Sequence, residues 1–478
     1  MTNKLIDEIR NNLDNGNVTS EMLFEEATSK AKKYQDEYNS FVTIMDKKEE
    51  IEGNSILRGI PYALKDNIST KGILTTASSN ILKDYIPLYN ATVYKKLKES
   101  GAVLMGKTVL DELAMGGTGT TGHTGIVRNP WNKDRMIGGS SAGSAAAVAL
   151  GIVPFAIGSD TGDSIRKPAA YGGVVGYKPT YGRISRYGLF AFASSLDHLG
   201  VFARSVKDVS YVMDIVKGHD EKDMTSLPDE DISYVDNIDN DIKGKKLFYI
   251  KEVMDITSDN DDLKNIMDNF KEVISKCKSL GLEVEEVTFG KELLEAIYPV
   301  YNVISCAEAT SNNSNLTGIP FGSRVEADNV YDIMVKTRTE GFSELIKRRF
   351  VIGSYVLQKE NQEKLFLNAS RVRRLIVDRM NELFKTYDGL IMPTSGDIAP
   401  LFDKASDKLS DEYLILGNHL VIGNFGGFPS ISIPSGFVNN MPVSINITGR
   451  AREDYLVLNM ANKIEEVLGC KGMVAKDE

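Results

Sequence analysis

Gly138-Gly-Ser-Ser-Ala-Gly-Ser144 and Gly158-Ser-Asp-Thr-Gly-Asp-Ser-Ile-Arg166 are the stretches on which the reading of this 478-residue chain turns. Each is a glycine-bordered serine loop, and Ser140 and Ser164 stand 24 positions apart. Glycine lets backbone approach a bound group closely and turn its N–H groups toward it. A helix-forming run, Ser144–Leu150, follows the first loop, and an apolar strand, Ile152–Ile157, leads into the second. Both loops therefore fall at the junctions of an α/β alternation. Lys65 precedes Ser140 by 75 positions, inside Pro61-Tyr-Ala-Leu-Lys-Asp-Asn67. Two hydroxyls and a lysine can supply a nucleophile and its base without histidine, which points to acyl transfer.

Working outward, residues 60–205 are rich in Gly, Ser, Thr and Ala, with a further strand at Ala102–Met105. The first 50 residues read as two helices, the second beginning at Thr19-Ser20 with a hydroxyl cap. Residues 220–245 are acidic and polar, an exposed connection. Lys246–Ile250, Leu282–Val287, Leu390–Met392, Ile431–Ile433 and Val443–Ile447 read as strands, and Tyr455–Leu468 as a closing helix. Residues 296–385 are largely helical and charged, a lobe beside the sheet. The expectation is one α/β domain over 1–478, its sheet covered by helices on both faces.

The chain carries 56 basic and 66 acidic residues, a formal charge of −10, which argues against a tight direct grip on nucleic acid. Its three cysteines are widely spaced without metal-ligand spacing, as expected in a reducing compartment. The first ten residues form an amphipathic pattern and not a signal peptide, and no run approaches the roughly 20 apolar residues that span a bilayer. These features predict a cytoplasmic protein without a membrane role.

Two nucleotide motifs are decoys. Gly101-Ala-Val-Leu-Met-Gly-Lys-Thr108 matches a phosphate loop letter for letter, yet its inner positions read as a strand and the preceding residues as a helix. Gly117-Thr-Gly-Thr-Thr-Gly122 matches a dinucleotide fingerprint but neither leaves a strand nor opens a helix.

Taken together, Lys65, Gly138–Ser144 and Gly158–Arg166, with their spacings, resemble the amidase signature family. The likeness extends through Gly173-Val-Val-Gly-Tyr-Lys-Pro-Thr-Tyr-Gly-Arg183, Ala193-Ser-Ser-Leu-Asp197 and Gly106–Met115, where it is similar to the A subunits of tRNA-dependent amidotransferases. The resemblance implies an amidase-signature fold with a large mixed β-sheet. It implies Ser164 as acyl-ester nucleophile, Ser140 as proton relay behind a cis peptide, and Lys65 as general base. It further implies an oxyanion hole from the N–H groups of Thr161, Gly162, Asp163 and Ser164. Glutamine would be the substrate, with Tyr301 and an arginine at 348 or 349, Arg349 being preferred, at its amino-acid end. B and C subunits would complete a heterotrimer. ATP, Mg2+ and the misacylated tRNA would be handled mainly by those partners, and this chain would carry no cofactor or metal.

Departures from that pattern sit inside the loops. Ala142 and Asp163 replace glycines, and Gly417-Asn418-His419 stands where such A subunits carry an acid. Aspartate tolerates a left-handed backbone if position 163 requires one. Its carboxylate would either weaken oxyanion stabilisation or receive the substrate ammonium in place of the missing acid. Two further readings stay open: a free-standing amidase acting on a small amide, and a catalytically weak scaffold prompted by Asp163.

Overall fold

The computed structural model describes residues 1–256, 260–403 and 412–475, the side chains of 412 and 413 excepted. Eleven strands form one mixed sheet: β1 (Phe41–Ile44), β2 (Pro61–Lys65), β3 (Val103–Thr108), β4 (Phe155–Asp160), β5 (Val175–Lys178), β6 (His198–Ala203), β7 (Lys246–Ile250), β8 (Glu283–Val287), β9 (Gly389–Pro393), β10 (Ser430–Val438) and β11 (Met441–Gly449). Their order is β1-β3-β2-β4-β6-β5-β10-β11-β9-β7-β8. β2 runs parallel to both β3 and β4, whereas β4, β6, β5, β10, β11 and β9 alternate in direction.

Both faces of the sheet are covered, and the strand period shows it. Leu64, Ile157 and Val201 belong to one core with helices Val206–Val216 and Asp454–Leu468. Their neighbours Ala63, Ala156 and Phe202 point the other way, into a second core with Ser20–Tyr38 and Ala142–Ala149. A strand buried on both faces must be apolar throughout, which is why the central strands lack the polar alternation of a half-exposed sheet. The edge strand β8 differs: Glu283, Glu285 and Glu286 are solvent-exposed around buried Val284. Charges there discourage pairing with another chain's edge. Helices Ile297–Asn312, Glu344–Leu357 and Asn368–Leu383 form the expected lobe, joined to the sheet through Phe248 and Leu390.

Topology brings the chemistry together. Parallel neighbours β2 and β4, paired through Leu64 and Ile157, end on the same side of the sheet. Lys65 closes β2, and the loop 161–164 leaves β4 beside it. Carboxyl ends of adjacent parallel strands are where open α/β sheets place ligands.

The decoys resolve as secondary structure predicts. The phosphate-loop letters span β3, and Lys107 is fully buried against Asp66 at 3.3 Å. The glycine-threonine loop wraps a carboxylate of its own: Asp111 accepts from the N–H groups of Thr118, Gly119, Thr120 and Thr121 at 3.0–3.1 Å and from Thr121 Oγ1 at 2.8 Å. An internal acid thus fills the anion-binding nest. A Cβ on Gly139 would lie 2.0 Å from Asp111 Oδ2, so the glycine beside Ser140 is required by this carboxylate. Asp111→Ala is expected to lower folding stability by about 3 kcal/mol, since four buried or half-buried N–H groups lose a charged acceptor at once. Denaturant unfolding of the two chains measures it.

Candidate functional site

Lys65 is fully buried at the end of β2. Its Nζ lies 2.8 Å from Ser140 Oγ, 2.8 Å from Ser141 Oγ, 2.9 Å from Ser159 Oγ and 3.2 Å from Ser159 O. Burial drives its pKa down to about 7, against the smaller raising pull of Asp111, Asp160 and Asp197. A lysine so placed is partly neutral near neutral pH and can take a proton.

Proton accounting separates the two neighbouring serines. Ser141 Oγ donates to Ser159 O at 3.0 Å, so toward Lys65 it can only accept. Ser140 Oγ has no partner other than Lys65 among the described residues, which leaves its proton free to move. Ser140 follows a cis peptide from Gly139, as the resemblance implies. Of the paired serines, Ser140 is therefore the one whose proton is not committed to another acceptor.

Ser164 is 5% exposed, and its carbonyl accepts from Ser141 N–H at 3.2 Å, which ties the two loops together. The backbone N–H groups of Gly162, Asp163 and Ser164 have no acceptor among the described residues, whereas the next one, Ile165 N–H, is held by Asp160 Oδ2 at 2.9 Å. Consecutive free N–H groups make an anion pocket. The loop is fixed from both sides. Arg166, fully buried, binds Asp160 at 3.0 Å, Gly162 O at 2.8 Å and Asn424 Oδ1 at 2.6 Å, turning that carbonyl away. Burial alone would raise the Asp160 carboxyl, but the Arg166 guanidinium overrides it and holds it well below the usual range. On the other side Thr161 Oγ1 donates to Asp197 Oδ1 at 2.7 Å. Burial raises Asp197 to about 6, the hydrogen bond from Thr161 opposing.

The residues expected at the substrate's amino-acid end converge on this loop. The Tyr301 ring sits 3.1 Å from where a Cβ on Gly162 would be, a tight contact on a residue whose backbone is not left-handed. Tyr301 and Cys306 share helix Ile297–Asn312, and Arg349 comes from Glu344–Leu357. These helices approach closely because Gly353 faces Cys306 O, where a Cβ would lie only 2.1 Å away. Arg349 lies over the Phe192 ring at 5.5 Å, with Nη1 3.9 Å from Cys306 Sγ. Arg348 is exposed on the other side of the helix, so of the two arginines only Arg349 faces the Tyr301 wall.

Asp163 is not in the left-handed region, so nothing in the backbone demands glycine there. Its carboxylate pairs with Lys167 Nζ at 2.7 Å, and Lys167 also donates to Gly417 O at 2.8 Å. The carboxylate expected to receive a substrate ammonium thus already has a cation, which an incoming ammonium would have to share. His419 is buried and pushed down to about 4 by desolvation, hence neutral at physiological pH. Sequence reasoning does not single out Lys167 or Asn424. The i,i+4 spacing from Asp163 to Lys167 is a usable signal; Asn424 reaches Arg166 across 258 positions and leaves none. Among the described residues no cluster of His, Cys, Asp or Glu could hold a metal, and no helix is long and apolar enough to cross a membrane.

The family model Amidase matches residues 1–458. The A subunit of glutamyl-tRNA(Gln) amidotransferase from Sulfolobus acidocaldarius is 38% identical over 475 residues, covering 97% of this chain and 98% of its own. The protein of the same description from Pseudothermotoga lettingae is 40% identical over 427 residues, covering 89% of each. Among solved structures, the glutamyl-tRNA(Gln) amidotransferase A subunit from Thermotoga maritima superposes with a TM-score of 0.82 at 35% identity, covering 99% of this chain and 97% of that one.

Proposed function

The chain belongs to the amidase family, and from that premise we propose that it is the glutamine-hydrolysing A subunit of a tRNA-dependent amidotransferase. One observation carries the chemistry: a buried lysine with its pKa near 7 lies 2.8 Å from a serine hydroxyl that has no other partner among the described residues. Near full-length likeness to the A subunits of glutamyl-tRNA(Gln) amidotransferases supports the assignment to a complex.

Neutral Lys65 takes the proton of Ser140 as Ser140 takes that of Ser164, and Ser164 Oγ attacks the side-chain amide carbon of glutamine. The N–H groups of Gly162, Asp163 and Ser164, with Thr161 at the loop's start, receive the oxyanion. Ser140 returns a proton to the leaving nitrogen, ammonia departs, and water hydrolyses the glutamyl ester to glutamate. Arg349, whose Nε is buried without a partner among the described residues, offers a donor for the α-carboxylate, and Tyr301 lines the same end beside Asp163. The ammonia passes to a B subunit that activates Glu-tRNA(Gln) or Asp-tRNA(Asn) with ATP and Mg2+. A C subunit completes a cytoplasmic heterotrimer.

Glutamate release is measured for the chain alone, with its partner subunits, and with charged tRNA added. Hydrolysis is expected to rise at least about tenfold on assembly, because a chain held in a complex gains from a pre-organised site. Full-rate hydrolysis by the isolated chain, unchanged by partners, favours a free-standing amidase instead.

A further inference from the structure

We propose that Lys167 is a positioning residue that makes an aspartate beside the nucleophile compatible with catalysis. Asp163 contributes its backbone N–H to the anion pocket while carrying a carboxylate on the same residue. A negative charge at that place opposes the oxyanion that forms when the amide carbonyl is attacked. The side chain does not hang free. Lys167 holds it at 2.7 Å, and the Lys167 N–H donates to Asp163 O at 2.9 Å, so one residue fixes both the carboxylate and the backbone.

Lys167 is itself anchored by Gly417 O at 2.8 Å, on a segment 250 positions away. Its charge is well kept: burial works against it most, but the Asp163 carboxylate together with Tyr171 more than offsets that and raises its pKa. The pair lies largely out of solvent, with Lys167 15% and Asp163 23% exposed, where water screens it little. Removing the cation leaves a carboxylate uncompensated next to the pocket.

This rests on Ser164 being the acyl-accepting nucleophile, and the experiment separates the two ideas. Glutamine hydrolysis by the full chain with its partner subunits is compared for the parent, Lys167→Met, Lys167→Arg, Lys167→Met with Asp163→Gly, and Ser164→Ala. Lys167→Met is expected to lower kcat roughly 10- to 100-fold with KM little changed, as one unscreened charge near the oxyanion does. Adding Asp163→Gly to Lys167→Met is expected to recover about fivefold or more, the coupling of a contacting pair. Lys167→Arg, which keeps the charge, should retain more kcat than Lys167→Met.

No recovery on adding Asp163→Gly means that Lys167 merely supports the loop, and the proposal falls. A lower KM with kcat unchanged in Lys167→Met means that the freed carboxylate takes the substrate ammonium, which overturns it equally. Hydrolysis above a tenth of the parent rate in Ser164→Ala removes the nucleophile assignment, a result read independently of the Lys167 coupling.

Discussion

Ser164→Ala is expected to lower glutamine hydrolysis by roughly 10⁴- to 10⁶-fold while leaving the melting temperature close to that of the parent. The change deletes one oxygen that has no hydrogen-bond partner among the described residues, so little folding energy rests on it. The fall in rate is large because the nucleophile cannot be replaced from within the site. Ser140 is bound to Lys65, and Ser141 has its proton committed to Ser159 O. What remains in the variant is the anion pocket and binding, which alone retain a modest acceleration. Rapid quenching of the parent with glutamine should give a chain heavier by one glutamyl group, and digestion should locate it at Ser164. The Ser164→Ala chain should show no such adduct. Hydrolysis above a tenth of the parent rate in the variant would move the nucleophile elsewhere and take the acyl-enzyme reading with it.

The sheet is unevenly legible from the residues, and the reasons are physical. β7 can be placed at Lys246–Ile250 to the residue, because a short apolar run bounded by charge is unambiguous. β5 and β6 escape such a reading, and both contain glycine. Gly176 and Gly200 are each there for close packing: a Cβ would lie 2.4 Å from Ala169 Cβ at one and 2.1 Å from Tyr177 O at the other. A glycine in a strand marks close backbone approach as often as a break, and only the folded partner tells which. The same holds at Gly139, whose missing Cβ makes room for Asp111.

For the site, spacing carries the reading of Lys65, Ser140 and Ser164, and the geometry adds what spacing lacks. Which serine of the 140–141 pair can move its proton follows from a hydrogen bond to Ser159 O that no local pattern encodes. Asn424, gripping Arg166 and donating to Asp160 Oδ1 at 2.9 Å, is invisible in sequence because its partners lie on another part of the chain. Asp163 stands out in the sequence as an oddity. Its meaning depends on Lys167, one helical turn on, and on the Gly417 carbonyl that holds that lysine.

Lys65 sets the pH dependence and the second large loss. In the proposed mechanism its neutral form is the base, so log(kcat/KM) should climb with slope one up to pH about 7 and level off above it. Asp197 adds a second proton below about 6, where its carboxylate ceases to be the charged acceptor for Thr161, and the acid limb should steepen there toward slope two. Lys65→Arg keeps a cation but one that stays protonated throughout this range, and Lys65→Met removes the base altogether. Both are expected to lose about 10²- to 10⁴-fold, without recovery at high pH. Stability should also rise with pH, but over a higher window. The folded pKa lies below the unfolded 10.5, so between pH about 7 and 10.5 the unfolded chain holds the extra proton. Lys65 therefore contributes a stability that rises with pH across that window, and below it its burial only costs. Lys65→Met removes this cost and should melt no lower than the parent at pH 6, by calorimetry, while remaining inactive. A flat pH–rate profile from pH 5 to 9 or an active Lys65→Arg would show that the lysine serves as a fixed charge, and the base would have to be sought among the hydroxyls around it.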